Sequence, residues 1–114
     1  MKIIKEKISL NDLKKLAKSR FGNLVKAVID IKKEILVIDA DLHSDEEASL
    51  LSQGSSQENL WGINLYPDFY NQTDFIEFDS MINLRPSFGN KTRGVDNQKI
   101  RLIIKDIVNK LIVK

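Results

Sequence analysis

The run LVKAVIDIKKEILVIDA, residues 24–40, constrains the fold more than any other part of the chain. Its apolar residues alternate on both sides of a Lys32-Lys33 pair, the pattern of a half-buried β-hairpin. With Lys32-Lys33 as the turn, Ile31 faces Glu34, Ile29 faces Leu36 and Ala27 faces Ile38, which builds one apolar face. The other face pairs Val28 with Val37, Asp30 with Ile35 and Lys26 with Asp39, the last an opposite-charge pair. Lys-Lys is not a preferred two-residue turn, so a longer loop with a shifted register stays open.

The segments around this hairpin decide what covers it. Residues 2–8 read as a short strand. Ser9, with Asp12 three residues on, reads as the cap of a helix over about residues 10–21, closed by Gly22. Ser44 and Glu47 have the spacing of a capping box for a second short helix, closed by Gly54. LWGINLYP alternates with Trp61, Ile63 and Leu65 on one face, and FIEFDSMINL alternates with Ile76, Phe78, Ser80 and Ile82 on one face. A strongly amphipathic helix begins near residue 97, with Asp96 as its expected N-cap. The order is β-α-β-β-α-β followed by one more strand and a terminal helix. It predicts an α+β fold in one domain, residues 1–114: a mostly antiparallel sheet of about five strands, with three helices on one face. A ferredoxin-like variant is one form of it.

The charge layout is the least ordinary feature. Residues 1–33 carry ten Lys/Arg against three Asp/Glu, residues 34–84 carry eleven acids and no Lys or Arg, and residues 85–114 carry eight Lys/Arg against two acids. The favoured reading is that basic ends and acidic middle meet in the fold and neutralise each other; the other is a bipolar surface that steers a ligand or orders a homo-oligomer. No cysteine is present, which excludes disulfides, thiol chemistry and cysteine zinc sites and suits a cytoplasmic location. The N-terminal stretch MKIIKEKISL mixes charges among its apolar residues and does not read as a signal peptide. No run approaches the length of a membrane span. Without aromatic residues interleaved among the basic ones, the chain also argues against nucleic acid as a partner.

Three constellations are candidates for chemistry. The first is the polar face of the sheet, with Lys26, Asp30, Asp39, Asn64, Tyr66, Glu77, Asp79 and Asn83 opposite the apolar one; its plain reading is a face left to water. The second is DADLHSDEE. Asp39, Asp41 and His43 would point the same way if extended, as weak ligands for Mn²⁺, Fe²⁺ or Zn²⁺. His43 is the only histidine and hence the candidate general base. The third is NLRPSFGNKTRGVD, where Arg85, Lys91 and Arg93 return positive charge beside Gly89 and Gly94. It lacks the lysine of a Walker A loop, and its plain reading is that Arg85 and Arg93 turn back onto nearby carboxylates. No cofactor-binding motif is present.

KAVIDI, DLHSDEE, LWGINLYP, IEFDSMINLRPS and GNKTRGV together resemble an uncharacterised family of small bacterial proteins known only as a domain of unknown function. The resemblance implies a stand-alone cytoplasmic bacterial protein and brings no activity, cofactor or catalytic residue. From the residues themselves the expectation is a binding or accessory module for a small anionic ligand or a partner subunit, itself included. Arg85 and Arg93 would grip the anion, with Asn64, Asn83, Asn90 and Glu77 fixing its orientation. The alternative is a small enzyme centred on His43 with nearby carboxylates.

Overall fold

The computed structural model describes residues 1–114. The hairpin forms as read. Strands β3 (Val25–Asp30) and β4 (Ile35–Ile38) pair antiparallel with Ala27 opposite Ile38, Val28 opposite Val37 and Ile29 opposite Leu36. Its loop is the longer kind. Asp30 accepts the Lys32 and Lys33 amides at 2.9 and 3.0 Å, and Glu34 takes a left-handed φ of 57°. The Lys26–Asp39 cross-strand pair does not form. β4 ends at Ile38, and Asp39 turns into a left-handed φ of 67° to meet Arg20.

Around the hairpin the sheet has the order β1-β4-β3-β5-β6 and is antiparallel throughout, with β1 at Lys2–Ile4, β5 at Leu60–Leu65 and β6 at Ile76–Glu77. Helix α1 spans Leu10–Arg20, α2 His43–Ser52 and α3 Gln98–Leu111. A two-residue parallel ladder joins β2 (Ile8–Ser9) to β7 (Ile112–Val113). The α+β class and the five-stranded antiparallel sheet are as the sequence predicts.

The expectation of three helices on one face is corrected. Leu13 and Ala17 of α1 and Ile104, Ile107, Val108 and Leu111 of α3 pack on Ala27, Ile29, Leu36, Ile38, Trp61, Ile63 and Leu65. Leu50 of α2 packs on Val28, Val37 and Leu60, the other face. The chain path explains the split. β1 and β3 are parallel with β4 between them, and β4 and β5 are parallel with β3 between them. Both crossovers step across the sheet in the same direction while their strands run oppositely. Right-handed connections therefore deposit α1 and α2 on opposite faces. In a ferredoxin-like sheet the second crossover steps back, both helices share a face and the first strand lies inside. Here β1 is an edge, so that variant is not the topology.

The strand expected over residues 75–84 is also shorter. It leaves the ladder after Glu77, and the carboxamide of Asn83 takes a strand's place at the edge of β5. Asn83 Oδ1 accepts the Gly62 amide at 2.8 Å and its Nδ2 donates to the Gly62 carbonyl at 2.9 Å. Gly62 permits this close approach, since a Cβ there would stand 2.5 Å from Ser80 Cβ.

Candidate functional site

The Ser44–Glu47 capping box is not used. Helix α2 starts two residues earlier, with Leu42 rather than Ser44 in the cap position, and no side chain caps its first amides. His43, Glu46 and Leu50 form the buried stripe of α2, at the spacing that turns them to the sheet. The start of the helix thus opens beside β3, β5 and the segment after β6. A pocket of about 210 Å³ lies there, lined by Lys26, His43, Ser44, Asn64, Asp79 and Arg93 among others.

Its floor has a defined hydrogen-bond polarity. His43 Nε2 lies 2.8 Å from the Ile63 carbonyl, which can only accept, so Nε2 carries the proton and Nδ1 is left as an acceptor. Burial holds the ring below its ordinary pKa, helped by Lys26, against the opposing pull of the Ile63 carbonyl, Asp79 and Asn64. Asn64 donates from Nδ2 to Glu77 Oε1 at 2.8 Å and to the Asp79 carbonyl at 3.3 Å. Two acceptors fix the orientation of the amide, and its buried Oδ1 has no partner. Glu77, also held by the Tyr66 hydroxyl at 3.1 Å, therefore positions Asn64.

Cationic groups stand over this floor. Arg93 donates from Nε to Asp79 Oδ1 at 2.8 Å, as the plain reading of that arginine requires, and its terminal nitrogens make no hydrogen bond. Lys26 lies over the Phe21 ring at 5.2 Å and pairs with no carboxylate.

The structure separates the other candidates from this pocket. Arg85 is buried, with its guanidinium 4.5 Å over the Trp61 ring. It donates to the carbonyls of Gln57 and Leu60 and meets no carboxylate, so the expected turn back onto acidic side chains does not form. Burial lowers its pKa from the usual arginine value. It lines a larger cleft of about 580 Å³, where Glu58 and Asp96 bring negative charge. Asn83 and Asn90 are brackets for their own loops. Asn90 Nδ2 donates to the carbonyls of Asn83, Thr92 and Gly94, and its Oδ1 accepts the Asp96 amide.

Asp96 is not the N-cap of α3; Asn97 is, accepting from the amides of Lys99 and Ile100. The Asp96 carboxylate instead accepts the Lys91 amide at 2.7 Å and the Thr92 hydroxyl at 2.5 Å, which holds its pKa below the usual range. The Lys91–Arg93 turn is thus an anion-binding loop whose anion is its own aspartate.

Asp39 and Asp41 do not join His43. Both are held by Arg20, at 3.2 and 2.7 Å, and no three His, Asp or Glu side chains gather where a metal could sit. Every ion pair joins a basic end to the acidic middle, as the favoured reading expects, but most of the lysines stay out of them. Only Lys110 of the fourteen lysines makes an ion pair, with Glu34 at 3.0 Å. Sequence reasoning placed Asn64, Arg93 and His43 among the candidates but in separate constellations. Lys26 and Asp79 fall with Asn64 on the polar face of the sheet, and the sequence gives no sign that they neighbour His43.

These features define an α+β protein with helices on both faces of one antiparallel sheet and a polar pocket at the start of α2. The chain belongs to the family of proteins of unknown function DUF5674, whose model matches residues 2–111. No curated protein and no solved structure matches it. No helix is long and apolar enough to cross a membrane.

Proposed function

We propose that the protein is a binding module for a small polar anion held in the pocket at the start of α2. One observation carries this reading: the uncapped first turn of α2 opens beside two cations that the protein leaves free to bind, Lys26 and the outer edge of Arg93. Amides at a helix start and unpaired cationic side chains favour the same ligand charge. The anion grip falls to Arg93 and Lys26 rather than to the expected Arg85–Arg93 pair. Leu42 and Met81, both more than half exposed at the rim, supply apolar contact for the rest of a ligand.

Thermal-shift measurements with phosphate, sulfate, acetate and citrate test the reading. At least one anion should raise the melting temperature of the wild type, and the Lys26→Ala, Arg93→Ala double variant should lose that shift. A Lys105→Ala control should keep it. Equal shifts in the wild type and the double variant would reject the site.

A second reading, an enzyme with His43 as general base, is favoured by the fixed tautomer. The ring is held neutral with its Nδ1 lone pair free, in the same pocket as Ser44 and Arg93.

A further inference from the structure

Helix α3 carries apolar residues on two sides, and the fold uses one. Ile104, Ile107, Val108 and Leu111 turn inward and are buried in the core. On the outer side stand Leu102 and Ile103, 60% and 43% exposed. A single exposed leucine is ordinary on a protein surface. Here two large apolar side chains stand together near the start of the longest helix, and charges flank them. Lys99 lies one turn before the pair and Asp106 one turn after it. Both are exposed, and neither joins an ion pair. Positions 99, 102, 103 and 106 have the i, i+3, i+4, i+7 spacing of one helical stripe. Lys99 and Asp106 are thus about 10 Å apart along the axis.

This stripe is complementary to itself. With two copies of α3 antiparallel and a two-fold axis between residues 102 and 103, Leu102 meets Ile103 of the second copy. Lys99 then stands level with Asp106 of the second copy, and the pair occurs twice. A parallel arrangement would set Lys99 against Lys99 and Asp106 against Asp106, a like-charge contact at each end. The charges therefore select the antiparallel order, and a two-fold contact of this kind closes after two copies. We infer that a second copy of this chain covers the outer face of α3, in an antiparallel two-fold helix pair centred on Leu102 and Ile103. The inference goes beyond the anion-binding reading and does not depend on it, since α3 lends no residue to that pocket. The apolar pairs form the centre of the contact, and the Lys–Asp pairs at its rim fix orientation more than they add affinity. One helix face per copy is a small interface, so the dimer is weak.

Sedimentation velocity from about 10 μM to about 1 mM protein tests this, a range suited to a contact of that size. The wild type should pass from one chain mass toward two as concentration rises. Leu102→Lys, at a mostly exposed side chain, should keep the wild-type urea midpoint and weaken association at least about 30-fold, as loss of a central anchor does. Lys99→Glu should weaken it about tenfold by turning two exposed attractions into repulsions. Adding Asp106→Lys to that variant exchanges the two charges and should bring association back to within about threefold of the wild type. A wild type that stays at one chain mass throughout overturns the inference. So does a dimer that Leu102→Lys leaves intact, because the contact then lies on another face. A dimer indifferent to both charge variants overturns the antiparallel order and the proposal with it. Growth beyond two chain masses reveals an open, head-to-tail contact and overturns the two-fold pair.

Discussion

Replacing Glu46 by glutamine should stabilise the protein, and by an amount that grows with pH. Glu46 lies on the sheet-facing stripe of α2, fully buried, and neither carboxylate oxygen has a hydrogen-bond partner. Burial raises its pKa from 4.5 to about 9, against the opposing pull of Lys26, the N-terminal amine and Arg20. The folded pKa is above the unfolded one, so the native state binds the extra proton. Whatever stability the group contributes is complete below pH 4.5 and is lost as pH rises toward 9. The loss is about 1.4 kcal/mol for each pH unit in that window, and so about 3 kcal/mol at pH 7. Glutamine keeps the shape of the protonated acid and does not titrate. Urea unfolding of the two proteins at pH 4.5, 6, 7 and 8 reads the effect directly. The stability curves should meet near pH 4.5 and diverge steadily above it, with Glu46→Gln the more stable. A difference that stays constant across the four pH values would show that Glu46 is ionised in the fold and refute the argument.

Other changes have equally definite outcomes. Gly62→Ala puts a Cβ against Ser80 and should cost about 1–3 kcal/mol, seen as a lower urea midpoint. Asn83→Ala strips both partners from the Gly62 amide and carbonyl and should cost about 2–4 kcal/mol, with faster hydrogen exchange at Gly62. Arg85→Ala should cost about 2–4 kcal/mol, since it removes donors to two carbonyls and uncovers Trp61. Arg93→Ala breaks only a solvent-exposed pair and should cost less than about 1 kcal/mol. His43, as the only histidine, gives a single imidazole signal in NMR. That signal should titrate below 6.5 with the proton on Nε2, and the associated stability should fall as pH drops through the depressed value.

What could be read from the sequence was local. The register of the central hairpin follows from its alternation, and the ends of α1 follow from Ser9 and Gly22, whose positions need no knowledge of the rest of the chain. The side of the sheet taken by α2 was hidden because it depends on the direction of two crossovers, a property of no single segment. Residues 78–83 alternate like a strand but do not extend one, because Asn83 reaches the Gly62 peptide with its side chain. Strand alternation alone puts Lys26, Asn64 and Asp79 on one polar sheet face. The pocket adds His43 from α2 and Arg93 from the late loop, and nothing in the spacing announces that these two join that face. Arg85 and Arg93 look equivalent in sequence. The difference arises because one reaches the backbone beside Trp61 and the other reaches Asp79.

The β2–β7 ladder ties residues 8 and 9 to residues 112 and 113. During synthesis β2 and α1 emerge before the hairpin, but the partners of β2 in that ladder are more than a hundred residues further along the chain. The hairpin and α2 are able to pair as soon as they leave the ribosome, whereas Ile8 waits, uncovered, for Ile112. Contacts this distant in sequence slow closure and lengthen the time that apolar surface stays open to other chains. A nascent chain stalled before residue 112 should therefore hold the hairpin yet remain sticky at its first helix.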